Sequence, residues 1–272
     1  MRKFGLIGHP LGHSLSPQIH ARLFELSGET VDYQLYDISP EELKAKYDFL
    51  KTLDGFNITI PHKIAIMDFC GEIDETAQKY MTINCIKNDG GRYIGYNTDV
   101  LGFVKSVEAM GASLAGDTVL LGCGGVGRMM VLETVYQGGA LTIAVRPDDI
   151  PVAQALATEI REKLGKEIKV CLLSELSGSH DLIVNSTPVG MFPKIDAMPV
   201  SAEQINTKFL FDAVYNPRET LLMKSAKERG ATVSGGMAML VLQAVAAHEI
   251  WDGAEYNKAD IDRLISDMEA YL

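Results

Sequence analysis

A chain of 272 residues can bury the cores of one large or two medium domains, and two is the expected number. Its 47% hydrophobic and 22% charged residues exclude a disordered or fibrous chain. The net charge of -11 argues against nucleic acid as a partner, which needs a basic footprint, yet leaves room for a phosphorylated cofactor held by a local nest of N–H groups and one or two cations.

The opening MRKFGLIGHP is a short strand-like run broken by glycine and proline, so no export signal is expected and a cytoplasmic protein is. The pattern predicts strands at KFGLIG, VDYQLYDI and DGFNITI, with helices opening after Ser16-Pro17 and at Ser39-Pro40-Glu41-Glu42, where proline follows serine at a helix start. INCIKNDGGRYIGYN predicts a hairpin turning at Asn88-Asp89-Gly90-Gly91. Asp99 to Met110 carries Val100, Phe103, Val104 and Val107 at helical spacing and stops at Gly111, as a connector to a second domain would.

From Asp117 onward DTVLLG, LTIAV, EIKVCLL, DLIVNST and KFLFDAV punctuate helical segments, which predicts a parallel, doubly wound sheet. Pro147 to Pro151 reads as a short loop on the cofactor side. Met237 to Ile250 places Met237, Leu240, Val241, Ala244, Val245 and His248 on one face of a helix apolar enough to be buried. Its apolar run, Met237 to Ala247, is too short to span a bilayer, so no membrane association is expected. The expected architecture is α/β: a mixed α/β domain at 1–103, a Rossmann-like doubly wound nucleotide-binding domain at 104–236, and C-terminal helices at 237–272 that return to the first domain.

Cys70, Cys85, Cys123 and Cys171 are scattered without a CxxC pair, which suits a reducing compartment and predicts neither disulfides nor a metal. His9 and His13 are four apart, but Pro10 and Gly12 between them rule out a helical metal pair.

Gly122-Cys123-Gly124-Gly125-Val126-Gly127 follows a strand and opens a helix, so Gly122, Gly124 and Gly127 satisfy G-x-G-x-x-G in the context that dinucleotide binding requires. A plain glycine-rich turn is the bland alternative. The next strand ends at Arg146, where an NAD-type fold usually has an acid on the ribose 2′-hydroxyl. A guanidinium there suits the 2′-phosphate of NADP, although Asp148 and Asp149 follow closely and an exposed arginine is also an ordinary surface feature.

Four segments of the first half, Ser14-Leu15-Ser16-Pro17, Asn57-Ile58-Thr59-Ile60-Pro61-His62-Lys63, Asn84 and Gly95-Tyr96-Asn97-Thr98-Asp99, together resemble the shikimate dehydrogenase signature. Asn185-Ser186-Thr187-Pro188-Val189-Gly190-Met191, Asp212-Ala213-Val214-Tyr215-Asn216-Pro217 and a glycine-rich turn leading to Gln243 extend the resemblance almost end to end.

The resemblance implies an NADP-dependent oxidoreductase, with NAD as the alternative cofactor. It would interconvert 3-dehydroshikimate and shikimate in aromatic amino acid biosynthesis. It implies that Lys63 is the acid/base and that Asp99 orients it and a ring hydroxyl. By the same resemblance Ser14, Ser16 and Tyr215 hold the carboxylate, and Thr59, Asn84, Asp99 and Gln243 the ring hydroxyls. Thr187, Ala213 and Gly236 join the phosphate loop and Arg146 as the cofactor set, with the nicotinamide near Thr187 and Gly236 in a cleft over which the domains close. A monomer or homodimer is expected.

Three departures stand out. Met81-Thr82-Ile83-Asn84-Cys85 ends in cysteine where the family has a hydroxyl, Val145-Arg146-Pro147 replaces Asn-Arg-Thr, and Ala238 stands for glycine. Cys123 sits at a helix start, where a thiol pKa can fall, although filling space is its expected role. An NAD-linked quinate/shikimate dehydrogenase and a non-catalytic nucleotide-sensing relative are the competing readings.

Overall fold

The computed structural model describes residues 1–12 and 14–272; His13, paired above with His9, lies outside the described residues. In chain order the elements begin with β1 (Arg2–Gly8), α1 (Ser16–Ser27), β2 (Val31–Asp37), α2 (Tyr47–Leu50), β3 (Gly55–Ile58), β4 (Glu72–Ile73), α3 (Glu75–Tyr80), β5 (Cys85–Asp89), β6 (Arg92–Tyr96) and α4 (Asp99–Ala109). There follow β7 (Asp117–Leu121), α5 (Gly125–Tyr136), β8 (Ala140–Val145), α6 (Ile150–Leu164), β9 (Lys169–Leu172), β10 (His180–Asn185), β11 (Thr207–Asp212), α7 (Leu221–Glu228), β12 (Thr232–Gly235), α8 (Gly236–Asp252) and α9 (Lys258–Glu269). Two compact units result, Met1–Gly102 with Val241–Tyr271, and Phe103–Leu240 with Leu272, so the chain crosses within α4 and returns within α8.

In the first unit the sheet order is β2-β1-β3-β5-β6-β4, with parallel pairing of β1 to β2 and β3, and antiparallel pairing from β3 through β5 to β6. Phe4, Phe24, Cys85, Ala247 and Trp251 form one of its cores. The Trp251 indole N–H donates to the Ile86 carbonyl at 2.9 Å. Gly55 permits this approach, because a Cβ there would sit 2.6 Å from Nε1. Along α8 every residue from Val241 to His248 is buried, which is why its sequence is apolar nearly all round rather than striped.

Two local expectations in this unit need correcting. The helix expected at Ser39-Pro40 does not form there. The Glu42 carboxylate accepts from both the Ser39 N–H and hydroxyl, and the Lys46 N–H is shared between the Glu42 and Leu43 carbonyls. The segment therefore tightens into turns and a 3₁₀ helix at Lys44–Lys46 before α2. The hairpin turns one residue later than expected, on Gly90 and Gly91 with φ 62° and 95°, because its two-residue loop needs two left-handed positions and only this pair supplies both cheaply.

In the second unit all six strands are parallel, in the order β12-β11-β10-β7-β8-β9. This is the doubly wound arrangement, and its strand order reverses between β7 and β10, where a crevice opens beyond the strand ends. Val119, Leu121, Ile183 and Leu210 from the strands pack against Leu222 and Ala226 of α7. The loop expected at Pro147 to Pro151 is instead a 3₁₀ turn, Pro147–Asp149, running straight into α6 with Pro151 in its first turn, where proline's missing N–H costs nothing. Among the described residues no helix is long and apolar enough to cross a membrane, and no group of three or more His, Cys, Asp and Glu is arranged to hold a metal ion.

Candidate active site

In the first unit the Lys63 ammonium donates to Asp99 Oδ2 at 2.6 Å, with side chains 29% and 18% exposed. Each is delivered by a fixed turn. Lys63 ends the Thr59–Lys63 turn, which is pinned where the His62 N–H donates to the Thr59 carbonyl and His62 Nε2 meets the Ile38 carbonyl at 2.6 Å. The Lys63 carbonyl then accepts from the Ile83 N–H, tying it to the residue before Asn84. Asp99 opens α4, and the Asn97 side-chain oxygen accepts from the Asp99 and Val100 N–H groups, satisfying donors that the helix start leaves without intrahelical partners.

Around this pair Asn84, Thr98 and Gln243 come together. Asn84 Oδ1 accepts from the Thr98 N–H at 2.7 Å, Asn84 Nδ2 donates to the Thr98 hydroxyl at 3.0 Å, and that hydroxyl reaches Gln243 Oε1 at 3.4 Å. All three side chains are at least nine-tenths buried, so the amides are held in set orientations. Ser14 and Ser16 are joined by a contact from the Ser16 N–H to the Ser14 hydroxyl, and the Thr59 N–H donates to the Ile7 carbonyl. Tyr215 belongs to the second unit and is half-buried there.

Cys85 is no part of this constellation. Its thiol is fully buried in the Phe4–Trp251 core, and burial pushes its pKa up, so the departure from a hydroxyl is a packing choice. Beneath the site runs a second polar chain. His20 Nδ1 and His248 Nε2 are 3.0 Å apart, His248 Nδ1 meets the Tyr256 hydroxyl at 2.9 Å, and His20 stacks on Tyr33, whose hydroxyl donates to Asn57. Burial pushes His248 down to about 3 and His20 well below the usual imidazole range.

In the second unit a cavity of about 460 Å³ is lined by Gly122, Cys123, Gly124, Gly125 and Val126 together with Arg146, Asp149, Ser186, Thr187 and Pro188. These residues leave the carboxyl ends of β7, β8 and β10, at the point where the strand order reverses. Gly122, at φ +85°, brings the chain so close to the turn after β10 that a Cβ would lie 2.8 Å from Thr187, and a Cβ on Gly127 would lie 2.5 Å from the Ser186 hydroxyl. Gly124 and Gly125 instead face open space at the start of α5, the room a pyrophosphate needs beside the first N–H groups of a helix. A dinucleotide therefore fits this cradle, which Arg146 borders from the end of β8.

Ala213 and Gly236 pack on each other, a Cβ on Gly236 falling 2.2 Å from the Ala213 carbonyl, and they do not line this cavity. Cys123 is 6% exposed, and burial together with the Asp149 charge pushes its thiol up, against the fall a helix N-terminus alone would cause.

Several residues that hold the sites were quoted from sequence only as members of motifs, without a role. Thr98 bridges Asn84 to Gln243, and Asn97 caps α4, donating to Thr82 as well. In the second unit buried Asp212 accepts from Asn185, from the Val214 N–H and from Thr220. Burial raises its carboxyl pKa against those three hydrogen bonds. The Asn185 oxygen in turn accepts from the Thr187 N–H and hydroxyl, which positions Thr187 at the cavity. Asn and Asp at the strand ends are the one sequence signal that points to such turns.

The family model for the shikimate dehydrogenase substrate binding domain matches residues 6–86. A shikimate dehydrogenase (NADP(+)) from Methanocaldococcus jannaschii is 40% identical over 262 residues, covering 93% of this chain and 92% of the relative. Among solved structures, a shikimate dehydrogenase in complex with NADP+ has a TM-score of 0.87 at 38% identity, over 98% of this chain and 96% of that one. Shikimate 5-dehydrogenase from Thermus thermophilus in complex with NADP(H) and shikimate has a TM-score of 0.86 at 29% identity, over 98% and 99%. Likeness of this identity along nearly the whole of both chains, added to the Lys63–Asp99 pair and the glycine cradle, makes this protein a member of the shikimate dehydrogenase family.

Proposed function

We propose that the protein is an NADP-dependent shikimate dehydrogenase that reversibly reduces 3-dehydroshikimate to shikimate, a step of aromatic amino acid biosynthesis. The observation that carries this reading is the 2.6 Å Lys63–Asp99 contact set beside the Asn84–Thr98–Gln243 network. Residues 1–103 with 237–272 are the proposed substrate and catalytic part, and 104–236 the proposed NADP-binding part.

NADPH supplies the hydride when bound. The protein's residues supply the rest. As the carbonyl carbon accepts hydride, its oxygen develops negative charge, and Lys63 Nζ stabilises that charge and delivers the proton that makes the hydroxyl. In the reverse direction Lys63 takes the proton back. Asp99 holds the ammonium through Oδ2 and offers Oδ1 to a ring hydroxyl. Asn84 Nδ2 spends one hydrogen on Thr98 and keeps a second for the substrate. Thr59 and Gln243 complete the hydroxyl set, and Ser14, Ser16 and Tyr215 take the carboxylate. Such a site discriminates through its buried polar groups, which an analogue lacking a hydroxyl leaves unpaired.

On the cofactor side Gly122, Gly124, Gly125 and Gly127, with Cys123 and Val126, take the pyrophosphate. Arg146 takes the 2′-phosphate, and Thr187, Ala213 and Gly236 the nicotinamide end. The ion pair between Arg146 and Asp149 is the one observation that favours additional use of NAD. A reducing cytoplasm is the proposed compartment, supported by four free thiols, and a monomer or homodimer the proposed state.

The test is Lys63→Ala. Turnover followed by NADPH absorbance should fall about 10²–10⁴-fold in kcat, the usual share of acid–base help, with shikimate affinity within about tenfold. A loss confined to affinity, with kcat near the parent value, would make Lys63 a binding residue and the mechanism wrong.

A further inference from the structure

Arg146 is not free to meet a phosphate unaided. Its Nε donates to Asp149 Oδ2 at 2.9 Å, and its Nη2 lies 2.9 Å from the same oxygen. Both residues line the cavity that the phosphate loop borders. Asp148 comes next to Asp149 and also acts on the guanidinium through its charge. The segment Arg146 to Asp149 therefore carries one positive and two negative charges.

Asp149 is also held in place. It is the residue from which α6 starts, and its N–H closes the 3₁₀ turn on the Arg146 carbonyl at 3.0 Å. Its carboxylate cannot leave Arg146 by moving the backbone without unwinding that turn. Proline at position 147 helps, since its fixed φ is the one the turn requires.

We propose that Asp149 is a specificity-determining residue for the cofactor, one that restrains NADP relative to NAD by occupying Arg146. This rests on the assignment of Arg146 to the 2′-phosphate made above. A ribose 2′-hydroxyl meets a neutral pair and can donate to the carboxylate. A 2′-phosphate must share the guanidinium with that carboxylate and also approach its negative charge. The pair is solvent-exposed, its side chains 69% and 39% accessible, so the ion pair itself is weak and easily rearranged. The repulsion between phosphate and carboxylate persists after rearrangement, screened but within a Debye length.

The experiment is calorimetric binding of NADP+ and of NAD+, without substrate, to the parent protein, Asp149→Asn, Arg146→Ala and the double variant. Asparagine keeps the shape and helix-start preference of aspartate and removes only the charge. Asp149→Asn should tighten NADP+ about three- to tenfold and leave NAD+ within about twofold, the size expected of one screened charge. The gain should shrink in the Arg146→Ala background, where there is no guanidinium left to release. If Arg146→Ala weakens NADP+ selectively while Asp149→Asn changes nothing, or moves both cofactors alike, the role of Asp149 is wrong and that of Arg146 stands. If Arg146→Ala weakens both cofactors equally, the 2′-phosphate assignment falls and takes this inference with it.

Discussion

The two members of the Lys63–Asp99 pair answer to different parts of the reaction. Lys63 is needed where charge develops on oxygen, in the transition state, whereas Asp99 serves both the ground state, through a ring hydroxyl, and the transition state, through Lys63. Asp99→Asn should therefore lower affinity and rate together, unlike Lys63→Ala. Initial-rate kinetics with varied shikimate separates the two, and an Asp99→Asn enzyme that lost kcat alone would contradict the hydroxyl contact. Both residues stood out in the sequence because each sits inside an unusual motif. Thr98 lies in the same motif as Asp99 and Asp149 was visible beside Arg146, but their roles were not legible, since they depend on which neighbour a side chain reaches: residues 84, 98 and 243 meet only once the fold brings α8 beside the turn between β6 and α4, and the grip of Asp149 depends on the 3₁₀ turn that hides in an apparent proline loop.

At the scale of elements, strong periodicity was readable and the choice between three- and four-residue backbone bonds was not. Five of the six parallel strands of the second unit and the long apolar α8 follow from runs of β-branched residues and from helical spacing, whereas β12, four residues ending in glycine, reads in the sequence only as a glycine-rich turn. The Ser39–Leu50 segment departs from a regular α-helix although Glu42 caps Ser39 as at a helix start, because the bonds that follow close three residues apart, Glu42 N–H on the Ser39 carbonyl and Lys46 N–H partly on that of Leu43. The pairing of α1 with α8 through His20 and His248, 228 positions apart, has no sequence signature at all.

That pairing carries a pH prediction. Both imidazoles are depressed in the folded state, His248 to about 3, while the unfolded chain protonates them near 6.5. The unfolded state thus binds more protons below pH 6.5, and folding stability is full above that value and declines as pH falls from it. At pH 5 the loss is about 2 kcal/mol for His248, and His20 acts in the same direction. Urea denaturation at pH 7.5, 6.5, 5.5 and 5.0 should show the decline, and His248→Asn should flatten it. A stability unchanged between pH 6.5 and 5 would contradict the buried neutral pair.

For the whole molecule, the order of elements carried the division of labour: a mixed sheet holding the polar motifs, then a doubly wound sheet with the glycine cradle at its switch point. What the order of elements could not supply is the ranking of substrates and cofactors, which turns on a hydroxyl and a phosphate. The most direct test of the central claim is therefore initial-rate kinetics with shikimate and quinate, each against NADP+ and NAD+. The account predicts the highest kcat/KM for shikimate with NADP+, at least about tenfold above quinate with either cofactor, since a site built around buried polar groups discriminates by what it leaves unpaired. Absence of turnover with shikimate on both cofactors, or a kcat/KM for quinate with NAD+ equal to or above that for shikimate with NADP+, would contradict it.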